Sequence, residues 1–193
     1  MKPVSRTFAR TAQRGFTMIE LIVVIVILGI LASVALPRFT NMQRDARIAK
    51  LNGARGSVAS AAAMVYGAAL ARQGVAQPVC TVNAGPGAQT INATTGNGTV
   101  CTDKGRVQVT ALYPSGTLAG IVAAAGLSPA QGTPNNAQLT AEGYTVTVAG
   151  GVVTVSPVGA PTPGTCRFTY TQAAAVGAAP VISQLDTTNT AGC

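Results

Sequence analysis

The sequence predicts an α+β protein. One long N-terminal α-helix, apolar in its first half and amphipathic in its second, packs on an antiparallel β-sheet head. Three observations carry this. Phe16 to Leu36 is an apolar run with a single charge, Glu20. Beyond Pro37, Leu51, Val58 and Val65 recur at heptad spacing, each followed three residues later by Ala54, Ala61 or Ala68. From Val79 onward, Thr and Val alternate between turns rich in Gly, Asn and Pro.

Composition narrows the function class. The 193 residues suit one domain with an attached anchor or tail. Only 9% are charged, against about a quarter in an ordinary soluble domain. With no His, most metal sites and the commonest general base are lost together. The acids are Glu20, Asp45, Asp103, Glu142 and Asp186, too few and too scattered for paired-carboxylate chemistry. No enzyme, cofactor or metal is expected.

The net charge of +8 is confined to the flanks of the apolar run. Lys2, Arg6, Arg10 and Arg14 precede it, and Arg38, Arg44, Arg47, Lys50, Arg55 and Arg72 follow it against Asp45 alone. From residue 73 onward, Lys104, Arg106 and Arg167 balance Asp103, Glu142 and Asp186, so nucleic acid is not an expected partner of the head.

The apolar run, at about 1.5 Å per residue, spans roughly 30 Å as a helix, enough for a bilayer core. Two readings compete. One is a removed secretory signal with a small-x-small site at Ser33-Val34-Ala35. The other is a retained anchor. Retention is favoured because the run continues past Pro37 into a charged helix with no loop for a peptidase. It is favoured also by Glu20, since an unpaired carboxylate in hydrocarbon is costly and its default reading is functional.

The stretch Arg14-Gly15-Phe16-Thr17-Met18-Ile19-Glu20-Leu21, followed by the apolar run, resembles the N-terminus of type IV pilins and the related pseudopilins. It combines a basic leader ending in Gly, an aromatic first mature residue, a carboxylate at the fifth mature position and an unbroken apolar helix. Met18 stands where many members have Leu, and the leader is longer than the shortest in the family. The resemblance implies the pilin fold. It also implies a prepilin peptidase that cuts between Gly15 and Phe16 and N-methylates Phe16, and assembly into a helical filament of copies. The freed amine of Phe16 would then neutralise Glu20 of an adjacent subunit or of its own chain. A buried pair of this kind sets register, because a wrong register leaves a charge uncompensated.

Pro37 should kink the helix, and Gly29 is a second weak point. In the resembled family the stretch between such residues can unwind on assembly. From Arg38 to Arg72 the stripe of Leu51, Val58 and Val65 is expected to face a sheet. Arg44, Arg47 and Lys50 are expected on the wetter side, near lipid headgroups or a neighbouring subunit. Gly74 and Pro78 are expected to end the helix.

In the head, Arg106 to Tyr113 reads as a strand, and Pro114-Ser115-Gly116 as a turn. Ser115 or Thr117 is a candidate cap for a short helix to about Ala125. Glu142 to Val148 and Val152 to Ser156 flank Gly150-Gly151, a hairpin signal. Cys166 to Gln172 and Pro180 to Leu185 read as two further strands, giving one sheet of about four or five. Gly126 to Asn136 reads as a flexible exposed loop. The order of head features, carried by Tyr113-Pro114-Ser115, the Cys166 to Thr171 strand and Gly192-Cys193, resembles the mannose-sensitive haemagglutinin subgroup of type IV pilins.

Four Cys in an exported, small-cored head imply disulfides, with three possible connectivities. Cys80–Cys101 with Cys166–Cys193 is favoured because both close local loops. A zinc site is disfavoured, since no two Cys are close in sequence and there is no His. Asn92-Ala93-Thr94 and Asn97-Gly98-Thr99 match glycosylation sequons but read better as polar turns. Lys104-Gly105-Arg106 is a small basic cluster without an aromatic platform beside it.

These readings divide the chain into a removed leader, 1–15, a hydrophobic transmembrane or filament-core helix, 16–37, an amphipathic helix, 38–73, and a disulfide-bonded β-rich head, 74–193. The expected function is a structural subunit of a type IV pilus, in surface attachment and in twitching movement. Its expected partners are further copies, prepilin peptidase, the pilus assembly machinery and, before assembly, the inner membrane. The alternatives are a type II secretion pseudopilin, disfavoured because only Asp186 is available near the C-terminal end for calcium, and a minor pilin that captures DNA.

Overall fold

The computed structural model describes residues 15–77, 79–80, 82 and 90–193. The expected leader lies outside the described residues except for Gly15, and so does Pro78. The chain forms two compact units, Met1–Met42 and Gln43–Cys193. Helix α1 (Met18–Ala71) contributes to both. Gly29 and Pro37 lie inside α1, which is continuous across them.

In the second unit, α1 buries Leu51, Ala54, Val58, Ala61, Ala62, Val65 and Ala69. This is the heptad stripe, widened by Ala62 and shifted from Ala68, which is half-buried, to Ala69. The alanines let the helix approach the sheets closely, so two β-layers share one helix face. The helix stops at Ala71, and Gly74, at φ +74°, turns the chain so that its N–H donates to Ile91 O at 2.9 Å.

Among the described residues the head holds two antiparallel sheets, not the single sheet expected. The first is β1 (Gly98–Thr102), β2 (Gly105–Thr110) and β3 (Tyr113–Pro114), in that order. The second is β4 (Tyr144–Ala149), β5 (Val152–Pro157), β6 (Phe168–Thr171) and β7 (Val181–Ile182), again in sequence order. The predicted Arg106–Tyr113 strand breaks because Ala111 and Leu112 take φ +52° and +71°, a two-residue turn between paired Thr110 and Tyr113. Non-glycine residues rarely hold this conformation. Here the Ala111 N–H donates to Asn97 Oδ1 at 2.9 Å and the Leu112 N–H to Gly96 O at 2.8 Å.

A π-helical turn over Leu118–Val122 follows Thr117, whose side chain makes no capping bond. The expected loop over 126–136 is not free: Leu127, Ser128, Gly132 and Pro134 are buried, and the Gly132 N–H donates to Lys104 O at 2.7 Å. It leads into α2 (Asn136–Ala141), opened by a reciprocal cap in which Asn135 Oδ1 accepts from the Gln138 N–H and Gln138 Oε1 from the Asn135 N–H. The β4–β5 hairpin turns on Gly150 and Gly151 at φ +57° and +78°, as their positions predict.

Two hydrophobic clusters fill the unit. One joins Leu51 and Val58 to Leu139, Val155, Phe168 and Tyr170, and the other joins Val65 and Ala69 to Ile91, Val100 and Val107. The sheets are tied together by Tyr170, whose buried hydroxyl donates to Pro114 O at 2.6 Å. Beside it the Gly116 N–H donates to Gln172 Oε1 at 2.9 Å. Disulfides join Cys80 to Cys101 and Cys166 to Cys193, the favoured pairing.

Arg47 and Lys50 do not stay on a wet face. Arg47 donates to Cys193 O at 2.6 Å, and Lys50 to Glu142 O at 2.5 Å, with its ammonium 4.5 Å above the Tyr144 ring. Arg55 donates to Ser183 O at 2.9 Å and to Gln184 Oε1 at 2.8 Å. Three cations of α1 thus hold backbone oxygens of the head, while Arg44 is exposed.

Candidate functional site

The site with distinctive chemistry lies in the first unit. Gly15, Phe16 and Thr17 precede α1 outside regular structure. Phe16 is 88% exposed, and a Cβ added at Gly15 would meet nothing within 4 Å. Both residues are exposed.

Thr17 and Glu20 open the helix as a reciprocal cap. Glu20 Oε2 accepts from the Thr17 N–H at 2.9 Å and from Thr17 Oγ1 at 2.7 Å, and the Glu20 N–H donates to Thr17 Oγ1 at 3.3 Å. The cap satisfies donors that a helix N-terminus leaves orphaned, and it places a carboxylate where the helix dipole favours one. The expectation of a partner for Glu20 named only the Phe16 amine. Thr17 was missed, although the Thr-x-x-Glu spacing before an apolar run is its sequence signal. Glu20 is thus held by its own chain in this state and is exposed, available to a further cation.

From Met18 onward the helix is apolar enough to cross a membrane by length and composition, with a window of mean hydropathy 3.0 that is 0% buried within the molecule. Ile19, Val23, Ile30 and Leu31 are among its exposed apolar side chains. Such a surface needs lipid or other apolar helices around it. Ser33 Oγ donates to Ile30 O at 2.7 Å, which hides the one hydroxyl in the middle of the run from hydrocarbon.

In the head, Asp186 caps α3 (Thr187–Thr190), accepting from the Thr188 and Asn189 N–H groups at 2.8 and 3.1 Å. Both bonds go to Asp186 Oδ1, so one carboxylate oxygen serves the helix cap. Among the described residues, no group of three or more Cys, Asp or Glu stands close enough to hold a metal ion. Asn92 Oδ1 accepts from the Thr94 and Thr95 N–H groups, a local turn, and Asn97 Oδ1 supports the Ala111 turn. Lys104 and Arg106 sit at and after the β1–β2 turn.

The chain matches the family model for the prokaryotic N-terminal methylation motif over residues 10–36. It is 45% identical over 51 residues to a type IV narrow pilus major component of Thermus thermophilus, covering 26% of this chain and 44% of that protein. It is 43% identical over 58 residues to a type IV major alpha-pilin of Moraxella bovis, covering 29% and 36%. It is 35% identical over 52 residues to a type IV major fimbrial protein of Dichelobacter nodosus, covering 27% and 33%. The chain thus spans between a third and under half of the length of the curated relatives it matches. No solved structure matches it.

Proposed function

We propose that this chain, whose N-terminal segment is that of the type IV pilins, is a structural subunit of a type IV pilus. The observation that carries the reading is the join of three features. An accessible Gly15–Phe16 bond precedes a carboxylate held at the helix start, and both precede an exposed apolar helix. Cleavage at Gly15 frees an amine at Phe16, four residues from Glu20, and the carboxylate then has a cation to register against in a neighbouring copy. The apolar surface of α1 accounts for both stages. It rests in the inner membrane before assembly, and the helices of other copies replace the acyl chains afterwards. Gly29 and Pro37 are the points where α1 would give on assembly. Prepilin peptidase and the pilus assembly machinery are the partners this implies, and attachment and twitching are the roles of the finished surface filament. The reading of the head as of the mannose-sensitive haemagglutinin type rests on the short sequence matches at Tyr113-Pro114-Ser115, the Cys166 to Thr171 strand and Gly192-Cys193.

The test is intact mass and N-terminal fragmentation of the protein from sheared surface filaments. The expected result is a start at methylated Phe16 and a mass reduced by the hydrogens of both disulfides. A start at Leu36, or absence of the chain from filaments, overturns the reading. A Phe16 start found only in membranes favours the pseudopilin.

A further inference from the structure

Strand β4 is an outer strand of its sheet, six residues long, with no charge and no proline, and its register with β5 runs without a bulge. Charge, proline and a bulge are devices by which proteins blunt a free edge, and β4 carries none of these three.

The register tells which backbone groups face outward. Ala149 and Val152 flank a two-residue turn, so they exchange hydrogen bonds, and so do Thr147 with Thr154 and Thr145 with Ser156. The Val158 N–H donating to Gly143 O at 3.0 Å continues the same alternation. The N–H and C=O groups of Tyr144, Val146 and Val148 therefore point away from the sheet. Among the described residues, nothing bonds to them on that side.

This row is symmetric about Val146. An identical strand laid antiparallel along it pairs Val146 with Val146, and Tyr144 with Val148 at each end, every pair exchanging two backbone hydrogen bonds. On the core-side face, half-buried Tyr144 then meets Val148, which is 41% exposed, an aromatic to β-branched pair made twice. On the outer face, Thr145 meets Thr147, again twice. The charges nearest the strand, Lys50 over the Tyr144 ring and Glu142 just before it, both lie at the Tyr144 end, opposite the uncharged Gly150-Gly151 end of the other strand, so like charges do not meet.

We propose that the free edge of β4 is a self-pairing site that takes β4 of a second copy of this chain, antiparallel, about a two-fold axis at Val146. The proposal does not depend on the pilus reading. A two-fold contact closes on itself, so it joins copies side by side and cannot propagate a polar filament. A single strand pair is smaller than the interface of about 1,200 Å² that stable association needs, so pairing occurs where heads are crowded.

The test uses the full chain in detergent micelles at high concentration. Thr145→Cys and Thr147→Cys are made separately, then mixed and oxidised with diamide. Across the proposed axis these positions are directly opposite, whereas each lies diagonal to its own copy, beyond disulfide reach. The expected result is at least about ten-fold more cross-linked dimer in the mixture than in either variant alone. Adding Val148→Pro, which removes an outward N–H and leaves the β5 ladder intact, should abolish it. Equal cross-linking of mixture and single variants, or none, overturns the proposal, whether the edge is then bare or covered by another protein. Amide exchange on the unsubstituted chain decides the matter if the variants misfold. The Val146 and Val148 amides should exchange more slowly as concentration rises, and concentration-independent exchange overturns the proposal.

Discussion

Removing the Tyr170 hydroxyl by Tyr170→Phe tests how the two sheets are held together. The hydroxyl and its acceptor, Pro114 O, are both buried, and the bond is 2.6 Å. Pro114 is paired with Val109 in the position of the hairpin that does not exchange hydrogen bonds, so its carbonyl faces Tyr170 and has no ladder partner. Phenylalanine keeps the ring and its packing but leaves that carbonyl dry and unpaired, which costs about 1–3 kcal/mol. At about 2–4 °C per kcal/mol for a unit of this size, a cost in the middle of that range lowers Tm by about 4–8 °C. Calorimetry of the full chain in detergent reads it directly. The same residue sets an alkaline limit. Burial, and then the neighbouring Tyr113, push the Tyr170 phenol up from its ordinary value. Below about pH 10 the phenol is protonated both folded and unfolded, so it adds no slope; above that, only the unfolded chain releases the proton, and stability falls. Tyr170→Phe should therefore be less stable at neutral pH and lose less stability between about pH 10 and 11. A variant within about 1 °C of the parent at pH 7 would refute the inter-sheet bond as a stabilising element.

Opening the Cys166–Cys193 loop, of sequence separation 27, by Cys166→Ser with Cys193→Ser should cost about 3–4 kcal/mol on the chain-entropy account, read by urea unfolding under non-reducing conditions. Gly116→Ala should destabilise the head by more than about 2 kcal/mol, because the added Cβ would lie 1.9 Å from Gly151 O; a soluble variant with unchanged Tm would show that this approach can relax. Glu20→Ala should leave cleavage at Gly15 intact but reduce sheared filament protein strongly, measured as processed Phe16-start protein in membranes against filaments. Equal filament yield would remove Glu20 from assembly.

The parts legible in the sequence are those with one dominant physical signal. The apolar run, the Leu51–Val58–Val65 stripe and the Gly150-Gly151 hairpin each follow from periodicity or from a turn only glycine adopts cheaply. The disulfide pairing followed from loop length. What escaped depended on contacts distant in sequence. Ala111 and Leu112 carry no turn signature, and their left-handed backbone is imposed by Asn97 and Gly96 from another loop. That turn breaks the expected Arg106–Tyr113 strand into β2 and β3, which pair within the first sheet. Strand β1 was missed because its residues, Gly-Thr-Val-Cys-Thr, lie among sequon-like turns, and its place is set by pairing with β2. Helix α2 was hidden in a Pro- and Asn-rich stretch, although its Asn135–Gln138 cap follows a readable spacing.

The grip of α1 on the head has a consequence for how this surface can change over time. Arg47, Lys50 and Arg55 hold the backbone oxygens of Cys193, Glu142 and Ser183, atoms that every amino acid carries. Residues 142 and 183 can therefore be exchanged for others without removing the atoms the helix holds. At these positions the side chain can change while the fastening beneath it stays the same.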